Sequence, residues 1–152
     1  MSVQTQVRSE EVAKAAGVLL ADSYTLYLKT HNYHWNVVGP MFTTLHTLFE
    51  THYTELALAV DEIAERIRAV GHLAPGSYRE FADLTSIEEG KADTKAQDMI
   101  RQLAADQLTV AASAKALIEA GEAAGDDVSV DLGVRRMEVH QKNAWMLSSH
   151  LE

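Results

Sequence analysis

Hydrophobic and polar positions along this chain show no long period-two alternation, so no segment is predicted to be a β-strand. They fall instead into four long stretches that are rich in Ala, Leu, Glu and other good helix formers. Breaks that contain glycine and proline separate these stretches. We therefore predict an all-α fold with four long helices, at about residues 7–36, 41–70, 93–120 and 126–150.

The connection between the second and third helices, residues 71–92, is too long for a tight turn. Within it, Ser86 and Glu89 have the spacing of a capping box, which favours a short extra helix at that point. Asp93 and Asp126 are expected to cap the third and fourth long helices. Four long helices with one long middle connection predict a four-helix bundle with a short helix in its crossover.

Composition then restricts the function. The chain has 152 residues and a mass of 16.7 kDa, which predicts a single domain over residues 1–152. It contains no cysteine, so His, Asp and Glu are the residues left to build a metal site.

The net charge of −9 argues against sequence-blind binding to nucleic acid. The chain shows neither an apolar signal segment at its start nor a membrane span, and we expect it in the cytoplasm.

The second helix carries four candidate metal ligands on one face: His46, Glu50, Asp61 and Glu65. At about 100° per residue they lie within an arc of about 100°. Such residues usually form solvated pairs one turn apart, and that interpretation stays open. Apolar residues flank this face, however, and Asp61 and Glu65 are like charges at i,i+4, which repel each other without a nearby cation. We therefore expect this face to be covered.

The four positions are also symmetric along the helix. Positions 46 and 65, like positions 50 and 61, are centred between residues 55 and 56. Two copies of the helix that cross antiparallel at this point would pair His46 with Glu65 and Glu50 with Asp61, each across the contact. Within one chain, Glu50 and Asp61 are about 16 Å apart along the axis and cannot share a metal. A two-fold contact would build two such sites at once.

His34 extends this set, because it lies on an inward stripe with Leu20 and Tyr27 and precedes His46 by one short turn. A lone inward histidine is more often a core residue than a ligand. Here two imidazoles join three carboxylates, and mixed nitrogen and oxygen donors suit iron, manganese or zinc rather than calcium. The residues alone therefore predict a divalent-metal site between subunits.

Three segments carry a longer pattern: His34-Trp35-Asn36-Val37-x-Gly39-x-x-Phe42, Leu45-His46-x-x-Phe49-Glu50 and Asp61-x-x-Ala64-Glu65-Arg66. This pattern resembles the signature of the Dps family of mini-ferritins. The resemblance implies a ferritin-like four-helix bundle that assembles as a hollow dodecamer. It also implies iron storage and a ferroxidase activity, in which hydrogen peroxide oxidises Fe²⁺ to Fe³⁺ and the cell and its DNA are protected.

The resemblance further implies a ferroxidase centre that two subunits share. One chain would supply His34, His46 and Glu50, and its two-fold mate would supply Asp61 and Glu65. Many relatives carry Asp where this chain has Glu50, a change that keeps the ligand type but lengthens the side chain.

Five more residues are candidates for roles beside the metal ligands or at a pore. His31 and Trp35 would lie beside the metal ligands, or they would be packing residues. Asp126, Asp127 and Asp131 would line an acidic pore that draws Fe²⁺ inward, as the family implies, whereas Asp126 or Asp127 could simply cap the fourth helix.

The other notable residues of the fourth helix are assigned to packing or to the surface. His140 and His150 are expected at the surface or at an interface, and Trp145 in the core or at an interface. Gly133 is expected to allow close packing against a neighbouring helix.

Three other functions compete with this interpretation. Some members of the Dps family compact DNA through Lys-rich tails, but the first eleven residues hold one basic side chain, Arg8, and no tail follows His150. Binding to DNA at neutral pH is therefore not expected, and a nucleoid protein is the alternative prediction. An inert helical bundle would leave the symmetric ligands unexplained. A self-contained di-iron site needs Glu-x-x-His motifs, which the sequence lacks.

Overall fold

Five α-helices make up the structure, a computed structural model that describes residues 2–152 without the side chains of residues 4–7. They are α1 (Val3–Asn36), α2 (Phe42–Ala69), α3 (Tyr78–Leu84), α4 (Ala96–Ala124) and α5 (Asp127–Ser148), and a 3-10 turn follows at Ser149–Leu151. Residues 2–152 contain no strand. The all-α fold and its four long helices are confirmed, although α1 begins earlier than predicted.

The four long helices form a bundle in which α1 packs against α2 and α4, and α4 packs against α5. Large apolar side chains from all four helices fill its core, among them Leu19, Leu26, Phe49, Ile63, Leu103, Leu117 and Leu132. At Gly133, α5 lies so close to α4 that a Cβ atom would be 2.7 Å from Ile118 Cγ1. The predicted packing role of Gly133 is therefore confirmed.

The short crossover helix exists, but its predicted position is wrong. α3 begins after Ser77, whose hydroxyl accepts a hydrogen bond from the Glu80 N–H at 3.2 Å and donates one to the Glu80 carboxylate at 2.9 Å. Phe81 attaches this helix to the bundle, because its ring stacks on that of Tyr24 with centroids 4.9 Å apart. The capping box of the crossover is thus Ser77 and Glu80.

Ser86, the predicted start of that helix, lies in an irregular segment instead. Its backbone N–H donates to the buried carboxylate of Asp22 at 2.8 Å, and the Thr85 hydroxyl donates to the same carboxylate at 2.7 Å. These bonds use the groups that would have begun a helix, and they attach the end of the crossover to α1.

Two predicted helix caps have different outcomes. Asp126 does cap α5, because its carboxylate accepts a hydrogen bond from the Ser129 N–H at 3.1 Å. Asp93 does not cap α4, because that helix begins only after Lys95. Among the described helices, none is both long enough and apolar enough to cross a bilayer.

Candidate metal centre

A short turn between α1 and α2 brings two of the predicted ligands together. Gly39 within it has a φ of +112°, a conformation that residues with a Cβ atom rarely adopt. The Phe42 N–H donates to the Gly39 carbonyl at 3.0 Å, and α2 begins there. The turn therefore folds the end of α1, with His34, against the start of α2, with His46.

Reciprocal hydrogen bonds hold His34 and His46 face to face. The Nδ1 atom of each ring lies 2.7 Å from the backbone carbonyl oxygen of the other residue. The rings stack with centroids 3.8 Å apart and planes inclined by 13°. Because a carbonyl oxygen can only accept, Nδ1 carries the proton in both rings. In a neutral imidazole, Nε2 then holds the lone pair that binds a metal, and the carbonyl fixes the orientation of the ring.

Aromatic side chains surround this histidine pair. The His31 ring stacks on Tyr53 with centroids 4.2 Å apart and lies 4.0 Å from the ring of Trp35. Tyr53 in turn meets His34 edge-on at 5.1 Å. Burial lowers the pKa of His31, and the nearby His34 lowers it further. His31 and Trp35 therefore lie beside the pair, and Tyr53, which the sequence analysis did not select, joins them.

The three predicted carboxylate ligands lie on the outer face of α2. Glu50, Asp61 and Glu65 are exposed in the single chain, and the covering of this face by a second subunit stays a prediction. A hydrogen bond to Asp61 raises the pKa of Glu65, and the negative charge of Asp61 raises it further. A cation bound between the two carboxylates would relieve the repulsion that raises this pKa.

The single chain therefore presents the predicted ligands as two half sites, one where α1 meets the start of α2 and one farther along α2. The first consists of His34, His46 and Glu50, and the second consists of Asp61 and Glu65. Within the described part of the chain, no three His, Asp or Glu side chains come together in a metal-binding geometry. Neither half site alone supplies a full set of ligands.

The three predicted pore carboxylates have different surroundings. Asp126 is half-buried, caps α5 and pairs with Arg66 at 2.8 Å. Asp131 pairs with Arg135 at 2.9 Å on the surface. Asp127 is exposed in the first turn of α5. Asp126 thus has a structural role within the subunit, whatever it does in an assembly.

The structure bears on three assignments in α5 and in the 3-10 turn that follows it. The prediction that His140 lies at the surface or at an interface is wrong, because its side chain is fully buried between α4 and α5. Trp145 is not a core residue, since it is 67% exposed in the single chain. His150 is half-buried, with Nδ1 3.0 Å from the Met146 carbonyl oxygen.

Comparisons with known proteins agree with this architecture. Residues 15–152 match the ferritin-like domain family. DNA protection during starvation protein 2 of Bacillus anthracis is 34% identical over 143 residues, which cover 94% of this chain and 98% of that protein. A Dps protein from Bacillus brevis has a crystal structure with a TM-score of 0.93 at 30% identity, with both chains fully covered.

A third similar structure carries a chemical description. It is the Dps protein of Vibrio cholerae O1, described as a member of a broad superfamily of ferritin-like diiron-carboxylate proteins. Its TM-score is 0.92 at 28% identity, and the match covers 96% of this chain and 92% of that one.

Proposed function

The chain belongs to the Dps family of ferritin-like proteins, and from this premise we propose that it oxidises Fe²⁺ and stores the Fe³⁺ product. The store would be the cavity of a hollow homo-oligomer, with twelve subunits as the family resemblance implies. The observation that carries the proposal is the pair of imidazoles His34 and His46. Their reciprocal carbonyl bonds leave both Nε2 lone pairs for a metal ion.

In the proposed centre, His34, His46 and Glu50 of one chain face Asp61 and Glu65 of the partner subunit. The exposure of these carboxylates in the single chain and their symmetric spacing about the middle of α2 support a two-fold contact. The raised pKa of Glu65 beside Asp61 also supports it, because a bound cation would relieve the repulsion between these two carboxylates. Two neutral imidazoles and three carboxylates are a donor set that suits iron.

This ligand set favours oxidation of its substrate. Carboxylates stabilise Fe³⁺ more than Fe²⁺, because the higher charge gains more from anionic oxygens. Each of two Fe²⁺ ions gives one electron to hydrogen peroxide, whose O–O bond breaks, and the two oxygens leave as water with two protons from the solvent. Hydrolysis of the Fe³⁺ product then releases protons and begins the mineral. The chain's own residues bind and orient the ions and accept no electron.

We propose that Fe²⁺ reaches the interior past Asp126, Asp127 and Asp131. Carboxylates gathered at an opening raise the local concentration of cations. Protection of DNA in the cytoplasm would then follow from the removal of both Fe²⁺ and peroxide, and it needs no contact with DNA. A net charge of −9 per chain opposes such contact at neutral pH.

The test is anaerobic loading with Fe²⁺ followed by peroxide, with the ferric absorbance and the particle mass as readouts. We expect rapid oxidation, slower with dioxygen, in a particle many times heavier than the 16.7 kDa chain. Asp61→Ala combined with Glu65→Ala should abolish the fast phase. Glu62→Ala is the matched control, because this neighbouring carboxylate pairs with Arg135 instead. A monomer with full activity would contradict both the shared centre and the shell.

A further inference from the structure

The interior of the bundle contains a second cluster of imidazole and carboxylate groups. This interior cluster consists of His52 and Glu55 on α2, Gln107 on α4, and Arg136 and His140 on α5. Four of its members are 3% exposed or less, and Glu55 is the one that reaches solvent. None of the five belongs to either of the two half sites described above.

The guanidinium of Arg136 lies at the centre of this cluster. Its two terminal nitrogens donate to the two carboxylate oxygens of Glu55, at 2.5 and 2.9 Å. One of them, Nη2, also lies 3.1 Å from Nε2 of His140. A carboxylate oxygen of Glu55 and Nε2 of His140 therefore both contact Nη2 of the positively charged guanidinium.

His140 is oriented in the way that a metal-binding histidine is oriented. Its Nδ1 atom lies 2.6 Å from the side-chain oxygen of Gln107, which accepts the proton that Nδ1 carries. Nε2 is then the acceptor, and its lone pair points at Arg136. Burial, with the charge of Arg136 and the proximity of His52, lowers the pKa of His140 to about 3, so the ring is neutral at pH 7. A neutral ring with a second partner on its other nitrogen is the form that ligates metals.

A second imidazole of the cluster has a nitrogen without a hydrogen-bond partner in the described part of the chain. His52 is 3% exposed, and its Nδ1 atom has no hydrogen-bond partner among the described residues. Buried polar atoms are rarely left without a partner, because the loss of hydration is not compensated. Side chains that project inward from facing helices are also the arrangement from which metal sites in helical bundles are built.

We propose that Arg136 occupies a cation-binding position at the centre of the bundle and thereby keeps divalent cations out of the subunit interior. Guanidinium stays protonated at all physiological pH values, so its charge is permanent. A divalent ion a few ångströms away would be repelled strongly in this poorly hydrated interior. The exclusion of cations from the interior does not depend on the proposed function. The further consequence, that iron binds between subunits instead, does rest on it.

The test uses chains in which Asp61→Ala and Glu65→Ala remove half of the proposed centre between subunits. A negative result would therefore say nothing against that centre. Into this background we introduce Arg136→Gln, which removes the charge, and add Co²⁺, whose visible absorption reports nitrogen and oxygen ligands. We expect about one Co²⁺ per chain, bound at least tenfold more tightly than by the background. Adding Glu55→Gln should abolish this binding.

Two matched controls separate charge from general perturbation. Arg136→Lys keeps a positive charge and should still exclude Co²⁺. Arg135→Gln removes the neighbouring arginine, which pairs on the surface with Glu62 and Asp131, and should leave Co²⁺ uptake at the background level. Uptake by either control to the extent of Arg136→Gln would contradict the proposal.

A folded Arg136→Gln chain that takes up no Co²⁺ would overturn the proposal. Arg136→Met is the second neutral variant, because its apolar side chain packs in a buried position. Should neither variant fold alone, Co²⁺ present during refolding should restore the helical circular dichroism, since the ion would replace the missing charge. Absence of that restoration would also overturn the proposal.

Discussion

Helix α2 has an imidazole–carboxylate cluster on each side, and the two clusters differ in what supplies their positive charge. On the outer face, Nδ1 of His34 and His46 is bound to backbone carbonyls, and under the proposed function Nε2 would bind an ion from solution. In the interior, Nδ1 of His140 is bound to Gln107, and Nε2 faces the guanidinium of Arg136. In both clusters a hydrogen bond at Nδ1 orients the imidazole ring. Under the proposed function, an exchangeable cation would make the outer cluster a binding site, whereas the cation supplied by the chain makes the interior cluster part of the core.

The largest expected difference between the two clusters is in the rate of Fe²⁺ oxidation. His46→Ala removes a proposed ligand and should lower the initial rate of Fe²⁺ oxidation by at least about tenfold, since even groups behind metal ligands contribute roughly that much. His140→Gln alters the interior cluster and should leave the rate within about twofold. Stopped-flow ferric absorbance measures both. Equal losses of oxidation rate in the two variants would contradict a functional difference between the clusters.

The next expected difference is in the free energy of unfolding, between the ion pair of the interior cluster and an exposed ion pair. Glu55→Ala leaves the buried charge of Arg136 without its carboxylate and should lower the free energy of unfolding by roughly 3 kcal/mol. Glu62→Ala breaks the exposed pair with Arg135 and should cost less than about 1 kcal/mol. Urea denaturation monitored by circular dichroism compares the two variants. Similar midpoints would show that Arg136 does not depend on Glu55.

A smaller effect appears on acidification. Burial, the Arg136 charge and nearby His52 lower the pKa of His140 to about 3, whereas an unfolded chain protonates this ring near pH 6.5. The contribution of neutral His140 to stability is therefore complete above pH 6.5 and is lost as the pH falls from 6.5 towards 3. The loss between pH 6.5 and 4.5 should be roughly 2 to 3 kcal/mol. His140→Gln, which cannot titrate, should reduce the slope of the stability profile over this range, and His52, whose pKa burial lowers to about 4, should supply the slope that remains. An unchanged slope would assign the acid sensitivity to other groups.

Local patterns predicted the bundle well because each long helix is bounded by glycine or proline, as at Gly39, and needs no distant partner to be recognised. The crossover helix was misplaced because Ser77 and Glu80 share the spacing of Ser86 and Glu89. The choice between them depends on tertiary contacts, such as the stacking of Phe81 in the first segment. Local spacing alone does not contain that information.

The outer ligands could be proposed from sequence because their symmetry lies within one helix. The interior cluster joins three helices, and its meaning depends on burial. Two signals were present: His52 falls on the buried stripe of α2 with Leu45, Phe49 and Leu56, and Arg136 precedes His140 by one turn. Neither signal shows that the side chains meet, and the sequence therefore predicts His140 at the surface or at an interface.

The most direct measurement of the central claim, a metal centre built from two subunits, mixes two inactive variants. One chain carries Asp61→Ala and Glu65→Ala, and the other carries His34→Ala and His46→Ala. In a mixed two-fold pair, one centre receives every ligand and the other loses all four substituted ligands. Random mixing in equal amounts should therefore restore about one quarter of the wild-type oxidation rate. No recovery in shells shown by mass spectrometry to contain both chains would contradict a centre shared between subunits.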